Sequence, residues 1–165
     1  MAITQKRLKE LLEYDENTGV FTRRVTTSSR SQKGMVAGHV SNAGYVQITL
    51  DSRPHLAHRL AWLYVHGNVP KIIDHIDGNP ANNSISNLRP ASPSQNIQNS
   101  KKSMRNTSGL KGVHQRRKDG KWIATIKIPG RRWQAFLGSF DCPAAAHLAY
   151  QVAAAKHHGE FARMD

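Results

Sequence analysis

One stretch, residues 71–89, limits what this chain can fold into more than any other part of the sequence. An apolar run ends in Asp74 and His75, a segment crowded with asparagine follows, and the chain becomes apolar again at Leu88. The pattern predicts a strand, a tight turn around Gly78 and a second short strand. A hydrophobic core does not need so many amides and carboxylates between two strands, so the stretch indicates a functional site. The alternative interpretation is an ordinary turn, because Asp, Gly and Asn are common turn residues.

The residues after this stretch predict a helix. Ser92 is suited to the N-cap, Pro93 to the first helical position, and Gln95 completes a capping box. Asn96 then falls about one turn into the helix. The chain order is therefore strand, asparagine-rich loop, strand and helix.

The rest of the N-terminal half predicts a mixture of short helices and strands. Amphipathic spacing and turn residues mark five elements, and these are the helices 4–14 and 56–66 and the strands 20–22, 35–40 and 45–50. Gly67 stands where the C-cap of the second helix belongs. His58 falls in the first turn of that helix, and we interpret it as a structural histidine rather than a catalytic group.

Positive charge is concentrated in the C-terminal half. The chain has 24 Lys and Arg against 11 Asp and Glu, which gives a formal net charge of +13. Residues 101–132 alone carry eleven basic side chains and a single acid, Asp119. Such clustering is typical of a protein that binds a polyanion.

The basic region predicts a small sheet followed by a helix. We interpret residues 100–107 as a basic linker, and the elements beyond it are three strands at 112–116, 121–128 and 132–138 and a helix at 143–158. Alternation along the middle strand places Trp122 on the face of the core. Two- or three-stranded sheets of this size fit the major groove of DNA.

The residue types at the end of the strand in residues 71–75 suit hydrolysis of a phosphodiester. Asp74 and Asn96 carry hard oxygen donors, which suit Mg²⁺ or Mn²⁺ rather than zinc or copper. The His75 imidazole has an ordinary pKa of about 6.5 and can take a proton from water at neutral pH. Asn87 is suited to bond within the loop and to fix His75 in one tautomer. The remaining asparagines are expected only to shape the loop, and they are Asn79, Asn82 and Asn83.

Residues 8–99 resemble the HNH nucleases, and specifically the phage-type homing endonucleases. The resemblance rests on segments in a fixed order, and these are His58-Arg59-Leu60, Asp74-His75-Ile76-Asp77-Gly78-Asn79, Asn82-Asn83, Asn87-Leu88-Arg89 and Asn96. It implies a ββα-metal fold with one divalent ion, Mg²⁺ or Mn²⁺, held by Asp74 and Asn96. It also implies that His75 is the general base and that Asn87 holds the loop and orients His75. Asn96 replaces the usual histidine of the third position, as in nicking members.

Residues 108–162 resemble the plant ethylene-response-factor (Apetala-type) DNA-binding domain. The matching segments are Gly112-Val113, Leu137-Gly138-Ser139-Phe140 and the alanine-rich helix that contains Ala149-Tyr150. By position, the resemblance makes four residues candidates for DNA contact, namely Arg116, Lys121, Lys127 and Arg132.

The sequence therefore predicts an α+β protein with three parts. These are an HNH nuclease domain over 1–99, a basic linker over 100–107 and an ethylene-response-factor-type domain over 108–165. The leading hypothesis is a metal-dependent, site-directed DNA endonuclease or nickase. The alternatives are a DNA-binding regulator with an inert nuclease half and a basic RNA-binding protein, although the latter leaves the asparagine-rich site unexplained.

We expect double-stranded DNA as the partner, a monomeric protein and a soluble location in the cytoplasm of a bacterial host or phage-infected cell. No apolar run approaches the length of a membrane span. The single cysteine, Cys142, excludes a disulfide framework and a cysteine-based zinc site within the chain.

Overall fold

The computed structural model describes residues 3–164, so Met1, Ala2 and Asp165, at the ends of the predicted domains, lie outside it. The described chain combines short helices with small antiparallel sheets. The predicted α+β class is therefore confirmed. None of the helices between residues 3 and 164 is long and apolar enough to cross a membrane.

The chain divides into two compact units at Ala91 and Ser92. We call residues 3–91 unit 1 and residues 92–164 unit 2. The predicted boundary lies one short helix later, after residue 99, and the structure groups that helix with unit 2. The division into a nuclease domain and a DNA-binding domain stays a prediction.

Unit 1 contains two helices, seven strands and one 3-10 turn between residues 3 and 91. In chain order these are α1 (Gln5–Leu11), β1 (Leu12–Tyr14), β2 (Phe21–Arg23), β3 (His39–Val40), β4 (Val46–Leu50), β5 (Arg53–Leu56), α2 (Ala57–His66), β6 (Ile73–His75), the 3-10 turn (Ile85–Asn87) and β7 (Leu88–Pro90). The strands pair antiparallel in three sheets, β1–β2, β3–β4–β5 and β6–β7.

Local capping and one shared core explain the two helices of unit 1. The Thr4 hydroxyl accepts from the Arg7 N–H and begins α1. Gly67 ends α2 with a φ of +75°, and its N–H donates to the Leu63 carbonyl, as the sequence predicts. The helices and sheets enclose a core whose most buried large side chains are Leu8, Leu12, Phe21, Ile48 and Leu60.

The predicted helix over residues 4–14 is wrong in its last three residues. α1 ends at Leu11, and residues 12–14 form β1, in which Tyr14 pairs with Phe21. Leu12 and Tyr14 are buried while Glu13 between them is exposed, which is the alternation of a strand. Pairing with β2 therefore outweighs the helical spacing of the leucines.

β5 has no counterpart among the predicted strands. It follows a tight turn at Asp51 and Ser52, whose φ values are +46° and +62°. Two consecutive left-handed residues suit a hairpin turn, but Asn-Gly or Asp-Gly usually marks it in a sequence. Pro54 also disfavours a strand, and it is tolerated because β5 lies at the edge of its sheet.

Unit 2 contains two helices, three strands and one 3-10 turn between residues 92 and 164. In chain order these are α3 (Pro93–Asn99), β8 (Val113–Gln115), β9 (Trp122–Ile126), β10 (Ala135–Phe140), α4 (Pro143–His158) and the 3-10 turn (Gly159–Phe161). The antiparallel sheet has the order β10–β9–β8, and α4 packs on it. The three predicted strands and the predicted helix 143–158 are therefore confirmed.

Small side chains let α4 approach the sheet closely. Ala146 and Ala154 of α4 are fully buried. Ala146 packs with Ala124 of β9, and Ala154 packs with Ile126 of the same strand. Strict alternation would place Trp122 on the core face of β9 and Ile123 on the outer face. In the structure Trp122 is only partly buried and Ile123 is buried, so the alternation along this strand is not strict.

The predicted capping box of α3 is confirmed. The segment that follows α3, predicted to be a linker, is hydrogen-bonded to Lys111 of unit 2. The Ser92 hydroxyl accepts from the Gln95 N–H, and the Gln95 side chain accepts from the Ser92 N–H. The Lys111 ammonium donates to the carbonyls of Gln98 and Ser100 at 2.6 Å each. The basic segment after α3 is thereby tied to the start of the sheet.

Two glycines of unit 2, both with a positive φ, allow the close packing of α4 on the sheet to be tested. Gly112 has a φ of +75°, and a Cβ there would lie 2.0 Å from the Tyr150 ring, whereas Gly130, with a φ of +78°, faces open space. We expect Gly130→Ala to lower the free energy of unfolding by about 1 kcal/mol, from backbone strain alone. Gly112→Ala should lower it by roughly 3 kcal/mol, because the ring must also move. Urea unfolding of both variants measures the difference, and equal losses would contradict this packing.

Candidate active site

The β6–β7 hairpin brings the central residues of the asparagine-rich stretch together. All three residues of β6 are buried, and the register pairs Asp74 with Arg89 and His75 with Leu88. Asp74 is 5% exposed and His75 is 7% exposed. A carboxylate and an imidazole thus stand next to each other at the end of a buried strand.

The Asp74 carboxylate forms an ion pair with Arg89 across the hairpin. Both Nε and Nη2 of Arg89 lie 2.9 Å from Asp74 Oδ2. The two side chains are only 6% and 11% exposed, so the hydrogen bond from Nε and the positive charge of the guanidinium offset the cost of burying the carboxylate. The sequence pattern alone does not indicate a role for Arg89. Its position directly opposite Asp74 follows from the hairpin register.

Asp77 and Asn87 close the loop between the two strands. The Asn87 amide donates to Asp77 Oδ1 at 3.0 Å, and its oxygen accepts from the Asp77 N–H at 3.0 Å. It also donates to the Asn82 carbonyl at 2.9 Å. Burial favours a raised pKa for Asp77, but the hydrogen bonds from Asn79, Asn82 and Asn87 outweigh it and lower that pKa. Asn87 therefore bonds within the loop. Its side-chain bonds go to Asp77 and Asn82 and not to the His75 ring, which the predicted control of the His75 tautomer by Asn87 would need. The role of Asn87 in catalysis stays a prediction.

The amide that contacts the catalytic candidate is Asn83. Its Oδ1 lies 3.4 Å from His75 Nε2, and both side chains are buried. The expectation that Asn83 only shapes the loop is therefore wrong. No sequence signal separates Asn83 from its neighbour Asn82, which bonds within the loop to Asp77 and Ser84.

Two further rings lie close to His75. The His58 ring lies edge-on to it with centroids 5.1 Å apart, and the Tyr45 ring is 6.1 Å away. Burial lowers the pKa of His75 below its ordinary value, although Asn83 and the charge of Asp77 act in the opposite direction. His75 is therefore neutral and able to accept a proton at pH 7.

His58 is a buried neutral imidazole. It is 7% exposed, and its Nδ1 has no hydrogen-bond partner within residues 3–164. Burial, together with repulsion from His75 and Arg59, lowers the pKa of His58 to about 4. These surroundings agree with the structural interpretation of His58, and they also place it in ring contact with the catalytic candidate.

The predicted metal ligands lie on two elements. Asp74 is on β6 in unit 1, and Asn96 is on α3 in unit 2. Both carry oxygen donors, which fit a hard divalent cation. No group of three or more His, Cys, Asp or Glu side chains in the described part of the chain is placed to hold a metal ion. A cation at Asp74 would therefore depend on one carboxylate and on oxygens from amide, water and phosphate.

Two of the predicted DNA contacts are ion-paired within unit 2. Arg116 Nε donates to Asp119 Oδ1 at 2.8 Å, and Lys121 Nζ donates to Asp141 Oδ1 at 3.0 Å. The Arg116 and Lys121 side chains are each 45% exposed, and exposed ion pairs of this kind contribute little to stability.

The other two predicted DNA contacts lie near the β9–β10 turn. Lys127 Nζ donates to the Arg132 carbonyl at 2.7 Å. The Arg132 guanidinium lies 5.0 Å from the centroid of the Trp133 ring, and Trp133 is 73% exposed. Arg132 and Trp133 thus form a cationic and aromatic patch on the surface of unit 2.

The part of the chain that contains the β6–β7 hairpin is similar to known proteins. Residues 55–98, from the end of β5 into α3, match the HNH endonuclease family. Protein 3.8 of Escherichia phage T7 is 38% identical over 108 residues, which are 64% of this chain and 87% of that protein. The chain belongs to the same family as Protein 3.8. It carries an HNH endonuclease domain, and HNH nucleases generally depend on a divalent metal.

Two plant proteins share a shorter similarity with this chain. The dehydration-responsive element-binding protein 2D of Arabidopsis thaliana is 46% identical over 55 residues, and the ethylene-responsive transcription factor ERF019 is 46% identical over 46 residues. The matches cover 33% and 28% of this chain, but only 26% and 31% of the plant proteins. No solved structure matches the chain.

The buried state of His58 gives a pH dependence of stability. The pKa of His58 is about 4 in the folded chain and 6.5 as an ordinary histidine, so the unfolded chain binds the proton more readily between these values. Stability should therefore fall as the pH falls from about 6.5 to about 4, by at most roughly 3 kcal/mol from this residue. His58→Phe, which keeps a ring but cannot be protonated, should flatten this part of the curve. Urea unfolding at several pH values measures it, and parallel curves for both proteins would contradict the assignment.

Proposed function

We propose that the protein is a metal-dependent DNA endonuclease or nickase of the homing-endonuclease type. The observation that carries the proposal is the adjacent pair Asp74 and His75 at the end of a buried strand, inside the region that matches the HNH endonuclease family. The order β6, loop, β7 and α3 agrees with the strand–strand–helix order of a ββα-metal site. The substrate would be double-stranded DNA, with cleavage leaving a 5′-phosphate and a 3′-hydroxyl.

His75 is the general base in this proposal. Its neutral imidazole takes a proton from a water molecule placed in line with the leaving 3′ oxygen. Burial keeps the ring neutral at pH 7. Asn87 holds the loop that follows the base, through Asp77 and the Asn82 carbonyl.

Asp74 and Asn96 are the proposed ligands of one divalent cation, Mg²⁺ or Mn²⁺. A bound cation would offset the negative charge that develops on the scissile phosphate and the leaving oxygen. The Arg89 guanidinium beside Asp74 keeps this carboxylate in place on the strand. With Asn96 at the third position of the motif, cleavage of one strand is the favoured outcome.

We further propose that the sheet of unit 2 binds DNA. The support is the concentration of basic residues over 101–132 and the similarity to plant DNA-binding proteins. Arg116, Lys121, Lys127 and Arg132 are the proposed contacts. Their exposed positions suit bonds to phosphates and to guanine edges.

A DNA-binding regulator with an inert nuclease half is the second candidate. It agrees with the similarity to plant transcription factors. The complete set of Asp74, His75, Asn87 and Asn96 disfavours it, since loss of activity in a nuclease usually removes part of such a set.

The first test is cleavage of supercoiled plasmid DNA with Mg²⁺ or Mn²⁺. We expect nicked or linear product from the wild type, none with a chelator, and a rate at least about 100-fold lower for His75→Ala, because the general base is lost. His66→Ala, at an exposed position at the end of α2, is the matched control and should cleave at the wild-type rate. If the wild type yields no product and His75→Ala binds DNA equally well, the regulator hypothesis replaces this proposal.

The second test uses the Arg116–Asp119 pair to vary the charge of unit 2 in both directions. If Arg116 contacts a phosphate, Arg116→Ala should weaken DNA binding and reduce the salt dependence, log Kd against log salt, by about one unit. Asp119→Asn should strengthen binding, because it removes the acid that competes for Arg116. Fluorescence anisotropy between roughly 50 and 300 mM salt measures both effects. An unchanged slope in Arg116→Ala would place the DNA on another surface.

A further inference from the structure

The contact between Asn83 and His75 defines which nitrogen of the imidazole carries the proton. The Asn83 amide nitrogen donates to the Ala81 carbonyl at 3.0 Å, and a carbonyl only accepts, so the orientation of the amide is fixed. Its oxygen therefore faces His75 Nε2 at 3.4 Å. Because an amide oxygen also only accepts, Nε2 must be the donor. The neutral ring then has its proton on Nε2 and its lone pair on Nδ1.

Asn83 is in turn held by the first hairpin of unit 1. The Tyr14 hydroxyl donates to the Asn83 carbonyl at 2.7 Å, in a buried contact between residues 69 positions apart. The Tyr14 ring stacks on Phe21 with centroids 4.6 Å apart. Burial raises the pKa of Tyr14 far above its ordinary value, so the hydroxyl keeps its proton and stays a donor.

The turn of the same hairpin leaves no space between itself and the loop. A Cβ on Gly19 would lie 2.3 Å from both the Asn83 carbonyl carbon and the Ser84 nitrogen. The Glu16 carbonyl accepts from the Ile85 N–H at 3.0 Å. Main chain therefore packs directly on main chain from the Asn83 carbonyl to Ile85, which fixes the backbone from which the Asn83 side chain extends.

From these contacts we infer that Asn83 and Tyr14 are positioning residues for the proposed hydrolysis. Asn83 holds the His75 ring with Nδ1 as the basic nitrogen, and Tyr14 holds Asn83 in register with the ring. The inference rests on the proposed role of His75 as general base. Tyr14 lies well outside residues 55–98, so the residues proposed to act in hydrolysis include one from the β1–β2 hairpin as well as those of the HNH region.

The tautomer of His75 can be measured without cation or DNA. Long-range ¹H–¹⁵N correlation spectra of the wild type at about pH 8, where the ring is neutral, distinguish a proton on Nε2 from one on Nδ1. We expect Nε2–H in the wild type and a mixture of both tautomers in Asn83→Leu, which keeps the side-chain size but has no acceptor. A proton on Nδ1 in the wild type would overturn the inference.

Single-turnover cleavage separates positioning from binding. Asn83→Leu should lower the rate of the chemical step by about 10- to 100-fold with an unchanged apparent affinity for DNA, as for other partners that orient a catalytic imidazole. Asn83→Asp, which retains an accepting oxygen, should recover most of the rate. Tyr14→Phe should give a smaller loss of the same kind. The exposed Ser86 lies in the same loop, and Ser86→Ala is the control, with a rate close to that of the wild type.

The results distinguish the inference from the function on which it rests. Cleavage that depends on His75 but is equally fast in Asn83→Leu would overturn the inference and leave the proposed function intact. Absence of cleavage by the wild type would overturn the proposed function itself. If Asn83→Leu does not fold, the wild-type spectrum and the rates of Asn83→Asp and Tyr14→Phe decide between the two results.

Discussion

The buried hydrogen bond from the Tyr14 hydroxyl to the Asn83 carbonyl is the interaction on which the rest of unit 1 depends most. It joins the first hairpin of the chain to the loop between β6 and β7, with 69 positions between the two residues. A buried carbonyl that loses its donor costs about 1–3 kcal/mol, which is a large share of the stability of a small unit. The core around Phe21 therefore determines where the loop lies, and the loop determines the surroundings of His75.

The loop between β6 and β7 is stabilised by hydrogen bonds from its uncharged side-chain amides. A side-chain amide can both donate and accept a hydrogen bond. Asn82 donates to the Asp77 carboxylate, Asn83 donates to the Ala81 carbonyl, and Asn87 donates to the Asn82 carbonyl. Charged side chains in place of these amides would lose hydration free energy near the buried strand unless each were paired. The abundance of asparagine that marks the sequence is thus explained by hydrogen bonding, and only one of these amides reaches the imidazole.

Local signals in the sequence predicted much of the fold. Gly67 ends α2, Ser92 and Gln95 cap α3, and α4 covers residues 143–158, in each case because neighbouring residues decide the structure. The sequence pattern failed where distant residues decide. β1 is a strand because it pairs with β2, and β5 depends on left-handed residues at Asp51 and Ser52 that no glycine marks. In the site, the Asp74–His75 pair was visible in the sequence, but the partners Asn83 and Arg89 follow from register and packing.

The Asp74–Arg89 pair has a consequence for the order in which the protein assembles. A carboxylate buried on β6 without a counter-charge would oppose folding of the hairpin. Arg89 supplies that charge from the facing strand, so folding of the hairpin does not need a bound cation to neutralise Asp74. This differs from zinc fingers, in which folding waits for the metal. If cleavage depends on a divalent cation as proposed, removal of the cation would stop cleavage reversibly and leave the hairpin folded.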